Sequence, residues 1–259
     1  MKDYKTFATE LAYQAGEVMR KNFALGMKKT WKENNTPLTV SDTTINRFVI
    51  EAVNKEYPSH GILGEEESDL KKGEYVWVCD PLDGTIPFSH GLPLSTFSLA
   101  LTQNGVPIVG VIYDPYMDRL FVAEKGKGAY LNEKKITVSK ASELNNNVVT
   151  VEASNRLPSY LATKMALANQ GTKVMTMMGF IYSGMLVSAG ELVAAIFAHK
   201  SPWDVAAVKI IVEEAGGTCT DIDGNDQRYD QKTNGFVASN GILHDQLITL
   251  LKKHNAKSH

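Results

Sequence analysis

The chain has 259 residues, of which 43% are hydrophobic and 22% charged, a composition typical of a globular protein with one large domain or two small ones. A net charge of −2 gives no reason to expect a nucleic acid or an anionic membrane as partner, and no apolar run is long enough to cross a bilayer. The start of the chain lacks a signal-peptide core and the two cysteines form no disulfide framework, so we expect a cytoplasmic protein.

The first half of the chain is predicted to contain two helices followed by a run of strands. Apolar residues recur at helical spacing over 7–23, and again after the segment 39–42, where Ser41 or Asp42 could cap the second helix. The polar segment 28–37 between them predicts a loop or a hairpin. Strands are predicted at 62–64, 75–79, 97–102, 106–113 and 120–123.

An Asn-rich polar segment at 140–147 is predicted to join an N-terminal half, 1–143, to a C-terminal half, 144–259. The N-terminal half has the pattern of an α+β unit, whereas strands and helices alternate in the C-terminal half, as in an α/β unit with a mixed sheet. Strands are predicted there at 148–152, 174–178, 192–198, 218–220 and 236–238, and helices at 160–168, 181–189, 203–215 and 244–254.

Two aspartates follow the apolar strand predicted at 75–79. Asp80 and Asp83 are only three residues apart, and carboxylates held this close repel each other unless a cation lies between them. The cation best suited to an all-oxygen site that also binds phosphate is Mg²⁺. The alternative is a turn at Asp83-Gly84 with a capping aspartate, which does not explain Asp80. We therefore predict a metal site, provided that further acids join the pair.

Two further acids occupy the ends of predicted elements. Glu65 follows the short strand at 62–64, and Asp204 opens a helix directly after Pro202-Trp203. Taken singly, Glu65 is explained by a solvated acidic turn, and Asp204 by the preference of acids for helix N-termini. Those explanations do not account for the recurrence of acids at element ends in both halves, which favours a shared site.

Four short motifs occur in order over nearly the whole chain. They are Thr39-Val40-Ser41-Asp42, Gly64-Glu65-Glu66, Asp80-Pro81-Leu82-Asp83-Gly84-Thr85 and Pro202-Trp203-Asp204-Val205-Ala206-Ala207. With these motifs, the sequence resembles the inositol monophosphatase family, within a superfamily of metal-dependent, lithium-sensitive phosphatases. The resemblance implies the layered α-β-α-β-α sandwich that this family shares with sugar bisphosphatases.

The resemblance implies a set of site residues by position. Glu65, Asp80 and the carbonyl of Leu82 would hold one Mg²⁺, while Asp80, Asp83 and Asp204 would hold a second; a third, weaker ion is implied near Glu65. Two such ions can clamp the attacking and leaving oxygens of an in-line phosphoryl transfer. The implied catalytic residues are Asp42, Glu65, Glu66 and Thr85, with Thr85 orienting the attacking water and Asp42 behind it. The backbone N–H groups of Gly84 and Thr85 are expected to bind phosphate.

The sequence departs from the family pattern at three positions. Pro87 stands where the family usually has Asn, and Thr176 and Phe197 replace an Arg and an acid in the part that faces the sugar. This part is more apolar than a polyol prefers, so we expect a tolerant enzyme that turns over inositol 1-phosphate without strongly preferring it. The positions expected to form this substrate wall are Asn155, Arg156, Gly179, Phe180, Ile181 and Phe197.

The predicted function is Mg²⁺-dependent hydrolysis of a small phosphate monoester by a metal-activated water. Histidinol phosphate, a sugar bisphosphate and a nucleotide phosphate remain open as substrates beside inositol monophosphate. A catalytically idle relative that binds or regulates is the alternative from another class, disfavoured because all four metal-ligating acids are present. Lithium sensitivity follows from the resemblance, and a homodimer is expected because C2 dimers are the commonest soluble oligomers.

Overall fold

The computed structural model describes residues 2–33, 35–152, 158–176, 179–198 and 201–255. The N-terminal part forms two helices with a small hairpin between them. Asp3 caps the first helix by accepting a hydrogen bond from the Thr6 backbone N–H at 3.0 Å. These elements are α1 (Tyr4–Asn22), β1 (Thr30–Trp31), β2 (Pro37–Leu38) and α2 (Val40–Glu56).

A seven-stranded sheet follows, in which spatial order equals chain order. Its first two strands are parallel and the remaining pairs are antiparallel. A one-turn helix, α3 (Thr85–Ser89), follows the second of these strands. The strands are β3 (Gly61–Gly64), β4 (Tyr75–Asp83), β5 (Thr96–Gln103), β6 (Val106–Asp114), β7 (Arg119–Glu124), β8 (Ala129–Leu131) and β9 (Lys134–Lys135).

The remaining strands form a second, mixed sheet with helices on both faces. Its strands are β10 (Val148–Glu152), β11 (Lys173–Met175), β12 (Ala194–Phe197), β13 (Thr218–Thr220) and β14 (Phe236–Ser239), in the order β11-β10-β12-β14-β13. The helices are α4 (Pro158–Ala168), α5 (Phe180–Ser188), the 3₁₀ turn Pro202–Asp204, α6 (Ala206–Glu214) and α7 (His244–Asn255).

Three hydrophobic cores stack these elements into five layers. The first core lies between α1, α2 and one face of the seven-stranded sheet, around the fully buried Trp77. The second joins the opposite face of that sheet to α5, α6 and the five-stranded sheet. The third lies between the five-stranded sheet and the outer helices α4 and α7. This α-β-α-β-α sandwich confirms the predicted fold class.

The predicted elements are present, with three informative differences. Strand β4 does not end at residue 79 but continues through both aspartates to Asp83. The helix predicted at 203–215 is broken at Val205 into the 3₁₀ turn and α6. The cap of α2 is Thr39, whose hydroxyl accepts from the Ser41 backbone N–H at 3.2 Å, while Asp42 bonds back to Thr39. The division into halves at 143 stays a prediction.

Within the described ranges, no helix combines the length and the apolar character needed to cross a bilayer. The segment 140–147 leads from the seven-stranded sheet into the five-stranded one, and the middle core is built from both. Helices α5 and α6 both pack against the two sheets.

The absence of a side chain at Gly110 allows α6 to lie close against strand β6. A Cβ at this position would stand 2.5 Å from Ile210 Cγ2 and 3.0 Å from the carbonyl oxygen of Ala207. The second of these atoms belongs to the helix backbone, which cannot move without shifting α6. Gly110 therefore sets the distance between the seven-stranded sheet and the middle helical layer.

We predict that Gly110→Ala lowers the free energy of unfolding by about 1–3 kcal/mol, because the added methyl group overpacks this contact. The measurement is urea unfolding followed by circular dichroism. Gly73→Ala is the matched control, because its Cβ would meet nothing closer than the Ser59 carbonyl oxygen at 3.4 Å. Equal unfolding midpoints for the two variants would contradict the packing argument.

Candidate active site

A bulge at the end of strand β4 brings Asp80 and Asp83 to the same side of the sheet. Residues three apart on a regular strand point to opposite faces. Here the pairing runs from Asp80 opposite Ser98 to Asp83 opposite Thr96, so three steps on β4 match two steps on β5. Because of the extra residue, both carboxylates point to the same face of the sheet, toward the middle layer of helices. Both are nearly fully buried.

The backbone of the bulge orients the first carboxylate and ends in a left-handed turn. Asp80 Oδ1 accepts a hydrogen bond from the Leu82 backbone N–H at 2.9 Å. Gly84 then adopts φ 78°, and α3 begins at Thr85. A side chain at Gly84 would be strained and would also stand 2.5 Å from the Leu94 carbonyl oxygen. The chain therefore turns sharply enough to bring the Thr85 hydroxyl oxygen back to 3.1 Å from the Leu82 carbonyl oxygen.

The second carboxylate is held by the start of helix α5. Asp83 accepts hydrogen bonds from the backbone N–H groups of Phe180 at 3.2 Å and Ile181 at 3.0 Å. A Cβ on Gly179, the residue before this helix, would stand 3.1 Å from Asp83 Oδ2. The first residues of α5 thus hold a metal-ligand candidate in place, a role that the sequence did not indicate.

Thr85 and Asp42 meet as the family resemblance implied. The Thr85 hydroxyl oxygen lies 3.2 Å from Asp42 Oδ1 and 3.1 Å from the Leu82 carbonyl oxygen. The other oxygen of Asp42 accepts from the Thr39 backbone N–H at 2.8 Å and from the Thr39 hydroxyl at 2.6 Å. Asp42 is fully buried, so the capping box of α2 fixes the carboxylate that faces Thr85.

Glu65 and Glu66 share a cationic partner that sequence reasoning missed. Lys32, in the turn that follows β1, lies with its Nζ 3.0 Å from Glu65 Oε1 and also pairs with Glu66. The three side chains are 20%, 24% and 11% exposed, respectively. Lys32 and Glu65 are 33 residues apart, so no local spacing could have joined them.

Asp204 is contributed by the chain segment that leads into helix α6 of the middle layer. It ends the 3₁₀ turn Pro202–Asp204, which packs against β4, and it is 6% exposed. Among the described residues, none donates a hydrogen bond to its carboxylate. A buried carboxylate without donors is costly, because burial disfavours the charged form.

Burial and mutual repulsion act together on the pKa values of these acids. Burial raises the pKa of Asp80 well above the usual aspartate value, and Glu65, Asp83 and Asp204 raise it further. Burial likewise raises the pKa of Asp204, with Asp83 and Glu65 adding to the shift. Burial raises the pKa of Asp83 to about 7 even though hydrogen bonds from Phe180 and Ile181 oppose the change. The four acids therefore lie close enough to destabilise one another.

The residue types fit a hard divalent cation. All candidate ligands are oxygen atoms, the negative charge exceeds the single positive charge of Lys32, and the Leu82 carbonyl faces the same region as Thr85. Across the described ranges, no three acidic, histidine or cysteine side chains are already grouped closely enough to hold a metal ion. The acids are thus linked by their charges and not by a preassembled ligand cage.

The structure describes only four of the six residues of the predicted substrate wall. Asn155 and Arg156 lie outside the described residues. Phe197 requires a correction: it is fully buried, with its ring stacked on Phe236 at a centroid distance of 5.7 Å, so it does not face a substrate in this structure. Ile181 is also fully buried, so among the wall residues that the structure describes only Phe180 keeps a partly exposed side chain. Most of these apolar residues pack in the middle hydrophobic core and do not line the site.

Comparison with known proteins shows which family and which fold this chain shares. The model of the "Inositol monophosphatase family" matches residues 1–256. A fructose-1,6-bisphosphatase/inositol-1-monophosphatase of Thermotoga maritima is 31% identical, covering 83% of this chain and 82% of the relative. A histidinol-phosphatase of Chlorobaculum parvum is 32% identical over 94% of this chain and 95% of that protein. The solved Thermotoga maritima IMPase superposes with a TM-score of 0.90 at 28% identity, covering 99% of each chain.

The electrostatics of the site predict that Asp204→Asn stabilises the metal-free protein. An acid whose folded-state pKa is raised costs stability once the pH exceeds its unfolded value, and the cost is complete above its folded value. In the presence of chelator at pH 8, the variant should gain roughly 1–2 kcal/mol of unfolding free energy. The gain should vanish as the pH falls toward 4.

The measurement is chemical unfolding at both pH values. The control is Asp245→Asn, which removes an exposed carboxylate in the first turn of α7 and should give no such gain at pH 8. A loss of stability in Asp204→Asn at pH 8 would mean that the carboxylate has a stabilising partner in the metal-free protein.

Proposed function

The chain belongs to the inositol monophosphatase family of phosphoric monoester hydrolases, and we propose that it hydrolyses a small phosphate monoester with the help of Mg²⁺. The observation that carries the proposal is the hydrogen bond between Thr85 and the buried carboxylate of Asp42, beside a group of acids whose negative charge exceeds the one positive charge of Lys32. Lone carboxylates would repel a phosphate dianion, so the same acids need a cation to work on this substrate.

The proposed ligands are Glu65, Asp80 and the Leu82 carbonyl for one ion, and Asp80, Asp83 and Asp204 for a second. When bound, the ions would neutralise the acids, polarise the phosphate and lower the pKa of the attacking water. We also propose that a third, weaker ion binds near Glu65. The rigid bulge of β4 would keep Asp80 in position to serve both ions, because its orientation is fixed by the backbone.

Thr85 and Asp42 are proposed to orient and deprotonate the water. If the Thr85 hydroxyl donates to Asp42 Oδ1, its oxygen is left to accept a hydrogen bond from the water. Burial raises the pKa of Asp42, which makes it a stronger base than an exposed aspartate. The backbone N–H groups of Gly84 and Thr85 at the start of α3 are proposed to contact the phosphate, and Glu66 to support Glu65.

The relatives of this chain act on different phosphate esters, as their names show. The relatives are named for fructose bisphosphate, inositol phosphate and histidinol phosphate, so family membership alone does not select among them. Apolar residues supply most of the predicted wall, and an apolar wall discriminates weakly. We propose a tolerant enzyme that accepts inositol 1-phosphate, inhibited by lithium and acting as a cytoplasmic homodimer.

We predict that activity disappears after exhaustive chelation and returns on addition of Mg²⁺, with excess Ca²⁺ inhibiting because it prefers longer bonds and more ligands. The measurement is phosphate release from inositol 1-phosphate, fructose 1,6-bisphosphate, histidinol phosphate and a nucleotide monophosphate. Full turnover of any of them by the metal-free protein would overturn the mechanism. A preference of several orders of magnitude for one ester would overturn the tolerant specificity alone.

We also predict that Thr85→Val lowers kcat by roughly 10²–10⁴ with little change in KM, because the variant keeps the shape of the side chain but loses the hydroxyl that orients the water. Thr85→Ser is the matched control, and it should retain most of the activity. Asp42→Asn should behave like Thr85→Val. Its melting temperature must be measured in parallel, because Asp42 also completes the cap of α2. A Thr85→Val enzyme with normal kcat would reassign Thr85 to a structural role.

A further inference from the structure

The turn after strand β1 carries a lysine into the acid group. Lys32 contacts Glu65 and Glu66, and it is the one cation that ion-pairs with the proposed metal ligands among the described residues. The lysine belongs to a short hairpin whose two strands have only two residues each. The backbone N–H of Lys32 donates to the Thr36 carbonyl oxygen at 2.8 Å, which closes the turn. Its side chain is therefore directed by the hairpin and not by the sheet that carries the acids.

The charges around Lys32 show why it stays there. Burial lowers the pKa of Lys32, but the attraction of Glu65 and Glu66 outweighs this effect, so the pKa is raised on balance. For Glu65, burial raises the pKa, and Lys32 opposes that rise. Each partner thus compensates for the cost of burying the other. Without the lysine, the glutamates would have like charges as their nearest neighbours.

We propose that Lys32 is an internal counter-ion that competes with a divalent cation for Glu65, so that cation binding and release of Lys32 from the glutamates are one equilibrium. The inference rests on the proposed function only in taking Glu65 as a metal ligand. Glu65 Oε1 can accept the ammonium group or bind a cation, and both together would place like charges side by side. Lys32 therefore lowers the cation affinity of the site and keeps the acids paired when no cation is bound.

The base of the hairpin is anchored separately, which confines the exchange to its turn. Lys29 Nζ lies 3.3 Å from the Ser89 carbonyl oxygen and 3.2 Å from His90 Nε2, at the end of α3. Trp31 stands between the two lysines in the sequence and is 61% exposed, and Lys29 Nζ lies 5.9 Å from its ring centroid. Trp31 is thus a built-in reporter for the turn that carries Lys32.

The test is Mg²⁺ affinity, measured by calorimetry on the chelator-treated full-length protein without substrate. Lys32→Met should bind the tightest-bound cation about tenfold more strongly than wild type, because a partly buried opposing charge has been removed. Lys32→Arg keeps the charge and should stay close to wild type. Lys29→Met, which removes the neighbouring lysine that does not touch the acids, should also leave the affinity unchanged. Thermal melts of all four proteins establish that each is folded.

A second measurement follows tryptophan fluorescence during the same titration. The wild-type signal should change as Lys32 leaves the glutamates, whereas Trp31→Phe should lose that component and keep any response of Trp203, which adjoins Asp204. In Lys32→Met, the Trp31 component should be absent because there is no ion pair to break. A Trp31 component of unchanged size in Lys32→Met would overturn the proposed exchange.

The possible failures are distinguishable. Equal Mg²⁺ affinity in Lys32→Met and wild type would overturn the competition and leave the phosphatase mechanism intact. Weaker binding in Lys32→Met would show that the lysine assists the cation, which also overturns the inference. If no variant binds Mg²⁺ by calorimetry, the proposed cofactor fails, and the inference fails with it.

Discussion

Repulsion among buried carboxylates is the constraint on which the rest of the structure depends. Asp80, Asp83 and Asp204 are each at least 94% buried, so burial raises their pKa values, and the charges of nearby carboxylates raise them further. A chain gains no stability from such an arrangement, so the surrounding elements have to hold it. The hydrophobic cores on both faces of the seven-stranded sheet contribute folding free energy that offsets the cost of burying these acids.

The acids are held by backbone groups from three separate layers. The bulge of β4 orients Asp80, the first turn of α5 holds Asp83, and the cap of α2 holds Asp42. Backbone donors are well suited to this task because they cannot rotate away as side chains do. These three carboxylates are therefore oriented by the fold itself, whereas the complete set of acids forms no preassembled ligand cage among the described residues.

Sequence patterns predicted the elements that are determined by residues close together in the chain. Strand β4 and its two acids follow from a short apolar run and the residues after it, and the helices follow from apolar periodicity. The pairing of Thr85 with Asp42 was accessible only through resemblance to a family, because 43 residues separate them. Local patterns predicted the wrong end for β4. The apolar run stops at residue 79, but the strand continues through both aspartates to Asp83.

The sequence does not show which side chains contact each other across the layers. Phe197 lies in an apolar strand both in the prediction and in the structure, and only the packing shows that its ring stacks on Phe236 and does not face the site. Lys32 belongs to a polar hairpin whose composition indicates solvent, yet its ammonium group lies among acids. Both errors arise from the same cause, because the face that a side chain presents depends on contacts distant in the chain.

The bulge also has a consequence for how this protein can vary. Leu82 is fully buried and its backbone N–H holds Asp80, so the segment between the two aspartates serves the core as well as the site. An odd separation between the aspartates needs the irregular pairing, because regular pairing of the present segment would turn one carboxylate into the opposite core, among Trp77 and its neighbours. An even separation would need regular pairing instead. The length of the segment and its pairing with β5 therefore have to change together.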